Sequence, residues 1–207
     1  MYIIQELPQK NKMFTGIIET TGKIISKYKE HENVYLAVQS SISSELKIDQ
    51  SLAHNGICLT VIKIDGDIHT VCAVKETIDK TTLGNWDVND IINLERCMQL
   101  HGRLDGHIVQ GHVDGLAVCI NRTDLQNNWN FTFQIEDINA HLIIEKGSVT
   151  IDGTSLTCYN VTKNTFDVTI IPYTYEHTSI SQVHENDKVN IEFDVIGKYV
   201  ARMKSIV

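Results

Sequence analysis

Two short stretches carry the same pattern of small polar side chains beside a turn glycine. Ser51-Leu-Ala-His-Asn-Gly-Ile-Cys-Leu-Thr-Val61 lines up with Ser148-Val-Thr-Ile-Asp-Gly-Thr-Ser-Leu-Thr-Cys158 at an offset of 97. Side chains alternate along an extended strand, so Cys58 and Thr60 share one face and Ile57, Leu59 and Val61 the other. In the copy, Ser155 and Thr157 stand opposite Leu156. A thiol or hydroxyl presented this way can hydrogen-bond a small polar ring, and a thiol can also act as a nucleophile. The copies have diverged: Cys58 corresponds to Ser155, Lys75 to Pro172, Glu76 to Tyr173 and Cys97 to Asp194. Duplicated pockets with different polar groups suit two similar ligands in different chemical roles. The competing reading is that small polar residues only satisfy strand ends.

The histidines invite a metal site but do not support one. His107 and His112 are five residues apart, which puts them on opposite faces of a strand, and no acidic or cysteine ligand recurs beside them. His107 is expected to be structural. His54 has Ile151 as its repeat partner and is expected to pack locally.

The elements that must position these groups are strands. Short runs of valine, isoleucine and threonine are separated by Asp65-Gly66, Asp105-Gly106, Asp114-Gly115 and Asp152-Gly153. The offset of 97 persists: Thr77 and Thr81 fall on Thr174 and Thr178, and Asp90, Asn93 and Glu95 on Asp187, Asn190 and Glu192. The expected fold is all-β, with two similar Greek-key barrels from an internal duplication, closed so that no sheet edge is left open. The boundaries are a barrel over 13–109 and a barrel over 110–194, joined near Gly111 to Gly115. Residues 1–12 form an N-terminal extension and 195–207 an amphipathic helix. In that helix Val195, Ile196, Tyr199, Val200 and Met203 make one apolar stripe that needs a burial partner.

Composition narrows the function. In 207 residues, 42% are hydrophobic and 21% charged, with a net charge of −8, so nucleic acid and anionic membrane surfaces are not expected partners. The N-terminus lacks the basic start and apolar run of a secretion signal, and no stretch is long and apolar enough to span a bilayer. A cytoplasmic protein with five reduced cysteines is expected. No P-loop or dinucleotide fingerprint is present.

A series of ordered motifs then resembles the riboflavin synthase family, α-chain type. They are Met13-Phe-Thr-Gly-Ile-Ile-Glu, the Ser51–Val61 stretch, Lys75-Glu-Thr, Val88-Asn-Asp-Ile-Ile-Asn-Leu-Glu-Arg96, Gly106-His-Ile-Val-Gln-Gly-His-Val-Asp114, Gly147 to Thr157, and Val189-Asn-Ile-Glu-Phe-Asp194. The resemblance runs from Met13 to about Met203. It implies dismutation of two 6,7-dimethyl-8-ribityllumazine molecules by four-carbon transfer, giving riboflavin and 5-amino-6-ribitylamino-uracil, with no cofactor and no metal. It also implies a homotrimer packed through the C-terminal helices, and it leaves open association with lumazine synthase. Each active site would lie between the N-terminal barrel of one subunit and the C-terminal barrel of its neighbour.

Carried over by motif, the N-barrel contacts are Gly16, Ile17, Ile18, Cys58, Leu59, Thr60, Cys72, Ala73, Val74, Lys75, Glu76 and Thr77, joined by Gly111, His112 and Val113 of the linker. The C-barrel contacts are Lys146, Ser155, Leu156, Thr157, Ile170, Ile171, Pro172, Tyr173, Thr174 and Tyr175. The chemistry needs a substrate methyl group deprotonated, a nucleophile added to the partner ring and protons moved during ring closure. Cys58, Ser51, His112 and Asp194 are the candidates. Asp105 departs from the pattern where glycine often stands, which a turn tolerates, and Cys158 replaces valine at a core position. The rival class is a non-catalytic antenna protein holding a lumazine or flavin in one barrel.

Overall fold

The computed structural model describes residues 13–206; the expected extension over 1–12, and Val207, lie outside them. Strands β1 (Thr20–Glu30), β2 (Asn33–Gln39), β3 (Ser51–His54), β4 (Ile57–Asp65), β5 (Ile68–Ala73) and β6 (Ile91–Arg96) close a barrel in the order β1-β2-β5-β4-β3-β6. Strands β7 (Gly115–Asp124), β8 (Trp129–Gln134), β9 (Ser148–Ile151), β10 (Thr154–Thr157), β11 (Thr165–Ile170) and β12 (Lys188–Phe193) repeat that order. All neighbouring strands pair antiparallel. Even the bulges recur, between Ile24 and Ser26 in β1 and between Cys119 and Asn121 in β7.

Alternation decides which side chains enter each core. Ile24, Leu36, Val38, Leu52, Val71 and Leu94 fill the first barrel, and Phe131, Phe133, Phe166, Val168 and Phe193 the second. Each such side chain contributes roughly 1.5–3 kcal/mol on burial. The expectation of two closed barrels needs one correction. A ladder joins β4 to β5 and closes the first barrel, but β10 ends at Thr157 and meets β11 only through a Tyr159–Asp167 bridge. Cys158 keeps the core-facing place of its repeat partner Val61, but Asn160 takes a left-handed φ of 48°, so the strand breaks and the seam stays open.

The barrels meet across a pseudo-twofold axis. Asn93 donates from Nδ2 to the Asp152 carbonyl, and Asn190 from Nδ2 to the Asn55 carbonyl, each at 2.9 Å. Their Oδ1 atoms accept from the N–H groups of Ser179 and Thr82 in the opposite barrel. Gly56 and Gly153 lie back to back at φ 77° and 79°, so close that a Cβ on either would fall within 2.7 Å of the other's backbone nitrogen. The shared turn glycine therefore serves the interface between barrels.

Helices α1 (Lys75–Lys80) and α2 (Pro172–His177) occupy equivalent places. Helix α3 (Val195–Lys204) follows β12, capped by Asp194, whose Oδ1 accepts from the Ile196 N–H. Lys198 ties it to Asp114 at 2.8 Å. The apolar stripe is uncovered within the chain: Ile196, Tyr199 and Met203 are 60%, 68% and 69% exposed.

Candidate active site

The segments that lead into the two barrels cross over. Phe14 and Val109 pair with one another, N–H to carbonyl in both directions, at 2.8 and 3.1 Å. Just beyond them the Gly16 carbonyl accepts from the Ser155 N–H of the second barrel at 2.7 Å, and the Gly111 carbonyl accepts from the Cys58 N–H of the first at 2.8 Å. Each strap is anchored by a buried carboxylate. Glu95 accepts from the N–H and hydroxyl of Thr15 and the N–H of Gly16; Glu192 accepts from the N–H groups of Gln110, Gly111 and His112. Burial raises both carboxyls, Glu192 up to about 7, against the downward pull of those donors.

This crossing corrects the grouping of the predicted residues. Gly16 lies on Ser155, so Gly16, Ile17 and Ile18 run beside the C-terminal half-site instead of the N-terminal one. Gly111, His112 and Val113 line the N-terminal half-site with Ile57, Cys58, Glu76, Thr77, Lys80 and Thr81, around a cleft of about 270 Å³. The C-terminal cleft, about 580 Å³, is lined by Lys146, Ser155, Leu156, Thr157, Tyr159, Thr169, Ile171 and Thr174.

The four candidate catalytic residues divide between the half-sites. Ser51 lies across the β3–β4 ladder from Thr60, and Ala53 across from Cys58, so Ser51, Cys58 and Thr60 face the same way. Cys58 also packs on Phe14, Ala53 and Val109. Asp194 belongs to the other half-site, where its charge acts on His107. His107 and His112 do not lie on opposite faces of a strand. Val109 forms the one bridge of that segment, His107 adds an N–H bond to the Thr15 carbonyl, and the extended course delivers His107 to Ser155 and His112 to Cys58.

His107, expected to be structural, lies directly against a predicted site residue. Its Nδ1 is 2.7 Å from Ser155 Oγ, while its buried Nε2 has no hydrogen-bond partner. Burial lowers its pKa and Asp194 pulls it back up. A signal existed: Phe14-Thr-Gly16 and Val109-Gln-Gly111 match at an offset of 95, two short of the main repeat. Tyr159 was missed as well. Its hydroxyl is held by Asn130 Oδ1 and Thr169 Oγ1, and its ring lies 5.7 Å beneath the Lys146 ammonium.

Several of the expected contacts turn their side chains away from the clefts. Leu59 and Ala73 are in the first core and Ile170 in the second, so their side chains do not line the clefts. Cys72 lies opposite Tyr35 on the outer face of β5. Tyr175 stacks on Trp129 at 3.6 Å, and its hydroxyl is held by Arg122. Val74, Lys75, Pro172 and Tyr173 lie exposed at the starts of α1 and α2. Among the described residues no cluster of three or more histidine, cysteine or acidic side chains could hold a metal ion, and no helix is long and apolar enough to cross a membrane.

Two barrels related by duplication, each with a polar cleft fed by the other's leading strap, define a paired small-molecule binding protein. Its repeats match the family model described as a lumazine binding domain, over residues 15–97 and 110–194. The riboflavin synthase of Bacillus subtilis (strain 168) is 39% identical over 191 residues, covering 92% of this chain and 89% of that protein. That of Actinobacillus pleuropneumoniae is 37% identical over 189 residues, covering 91% and 88%. Among solved structures, LumP complexed with riboflavin superposes with a TM-score of 0.81 at 21% identity, covering 87% of this chain and 98% of that one. LumP complexed with 6,7-dimethyl-8-(1'-D-ribityl) lumazine gives 0.79 at 20% identity, with the same coverage. The chain belongs to the riboflavin synthase family.

Proposed function

We propose that the protein is a riboflavin synthase, a transferase that converts two molecules of 6,7-dimethyl-8-ribityllumazine into riboflavin and 5-amino-6-ribitylamino-uracil. The observation that carries this reading is the pair of diverged clefts. Dismutation needs two copies of one molecule in unlike roles, and the first half-site offers Cys58 and His112 where the second offers Ser155, His107 and Asp194. The antenna alternative has no such support, because it needs only one competent cleft, whereas both here keep their polar groups.

In this reading Cys58 adds to or hydrogen-bonds one ring, and His112, exposed beside it, is placed to pass protons to and from that ring. Ser51 and Thr60 hold the same ring from the next pair of the ladder. In the second half-site Ser155, oriented by His107, binds the partner ring, with Lys146 at the rim. Stacking both rings in one orientation supplies much of the rate.

The two clefts share no lining residue, and in this reading the N-terminal cleft of one chain meets the C-terminal cleft of another. The exposed stripe of α3 supports a homotrimer that brings them together. Location in the cytoplasm and association with lumazine synthase are consistent extensions of the same reading. The test is to supply the purified protein with 6,7-dimethyl-8-ribityllumazine alone and quantify products by chromatography. Riboflavin and the pyrimidine in equal amounts are expected; tight binding with no product would favour the antenna class.

A further inference from the structure

The first barrel contains a polar relay with no counterpart in the second. His54 on β3 and His69 on β5 lie on either side of β4, and their Nε2 atoms meet at 2.9 Å. His54 Nδ1 is 3.1 Å from the Leu52 carbonyl, His69 Nδ1 is 2.7 Å from Ser43 Oγ, and Ser43 Oγ is 2.8 Å from Ser40 Oγ. Both rings are fully buried. One proton arrangement satisfies the whole chain. His54 must donate from Nδ1 to the Leu52 carbonyl, so its Nε2 accepts from His69 Nε2–H; His69 Nδ1 then accepts from Ser43, and Ser43 from Ser40. Both imidazoles are neutral in this state.

Among the described residues, no carboxylate pairs with either ring across the strands. The strand neighbours are Ile57 and Leu94 for His54, and Val38 and Ile64 for His69. Of the carboxylates flanking the two rings along the chain, Asp49 and Asp65 are exposed, Glu45 accepts from Arg96, and Asp67 accepts from Gln39. A first proton can enter only by reversing the relay towards the serines, which leaves a buried cation without a partner; a second puts two cations in contact. At the equivalent positions the second barrel has Ile151 and Phe166, both in its core.

We propose that the His54–His69 relay is an acid-release latch that opens the N-terminal barrel, and with it the Cys58 half-site, while the C-terminal barrel stays closed. The connection to the site is direct. His54 is followed by Asn55, which accepts from the Asn93 N–H and the Asn190 side chain, then by Gly56 at the barrel interface and by the strand that carries Cys58. Burial holds His69 at about 4 and His54 well below its ordinary value. Folded-state values depressed in this way make acid cost stability, from about pH 6.5 downward. At pH 5 each histidine released from the barrel binds protons with a bias of roughly 30-fold, and the pair roughly 1,000-fold. In the second barrel Asp152 and Glu192, both raised to about 7, take up protons while folded, which offsets the acid cost of the buried His107 in its strap.

Amide hydrogen exchange of the intact protein at pH 7.5 and 5.0, corrected for intrinsic rates, tests the latch. Protection in β3 and β5 should fall by up to about 1,000-fold relative to β9 and β11. The double variant H54I/H69F, which installs the residues of the second barrel, should erase the difference. Should that variant not fold, the native protein still decides the matter: equal loss of protection in both barrels overturns the proposal. So does a histidine ring that titrates near its ordinary pKa, by NMR, while the first barrel remains intact.

Discussion

Gly111→Ala places a methyl group where the strap from the second barrel meets the first. Gly111 sits at φ 73°, and its new Cβ would lie 2.7 Å from Cys58 Cβ, 2.9 Å from Phe14 Cε2 and 3.0 Å from the Cys58 nitrogen. The left-handed backbone alone costs an alanine about 1 kcal/mol. Relieving contacts of this length in a packed site adds about 1–3 kcal/mol, and the Gly111 carbonyl to Cys58 N–H bond, worth about 1 kcal/mol, is lost if the strap lifts. The total is about 3–5 kcal/mol. Gly66→Ala is the control, because Gly66 has φ 60° and nothing within 4 Å of an added Cβ, so it should cost only about 1 kcal/mol. Urea unfolding followed by the fluorescence of Trp86, which is buried in the first core, compares the two. Turnover should fall at least tenfold in Gly111→Ala under conditions where it remains folded, and stay unchanged in Gly66→Ala. Equal destabilisation by the two substitutions would refute the close approach of strap and Cys58, leaving backbone strain as the whole effect.

Cys58→Ala should lose most turnover while unfolding like the parent protein, and full activity in that variant would remove Cys58 from the chemistry. Asp152 is fully buried with its carboxyl raised to about 7, so its ionised form penalises the fold increasingly as pH rises from about 4 to 7. Asp152→Asn can keep the acceptor for the Asn190 N–H, as Asn55 does for Asn93. Its stability relative to the parent should therefore grow with pH, towards a limit of about 4 kcal/mol; a pH-independent difference in urea midpoint would contradict this. Ending the chain after Asp194 removes α3, its Lys198–Asp114 pair and the apolar stripe. Trimer and turnover should disappear together, and an active monomer by sedimentation would contradict the proposed assembly.

Much of this arrangement was legible before any coordinates. Alternation around Cys58 and Ser155 predicted which side chains enter each core, because a strand has only two faces. The repeat predicted two copies of one topology, because homologous segments bury the same face. Where the offset changes from 97 to 95, the duplication was harder to follow. The second barrel has a longer connection between β8 and β9, including a 3-10 turn over Asp137–Leu142 where the first barrel has only Ser43–Glu45. That hid the equivalence of Gly16 with Gly111, and with it the reason both straps carry glycine. The break after Thr157 was not legible either, since Cys158 occupies the same core-facing place as Val61, after which the first barrel's strand runs on.

The sequence by itself determined the all-β class, the duplication, the terminal amphipathic helix and the identity of the polar groups. Each of these depends on local periodicity or on repetition along the chain. Only the tertiary structure decided which groups share a cleft. Gly16 crosses to Ser155, and Gly111 to Cys58. His107 and His112 are delivered to different half-sites, and His54 finds His69 across an intervening strand. These pairings join residues up to 139 positions apart and follow from strand order and strap crossing, which set distances in space that no spacing along the chain encodes.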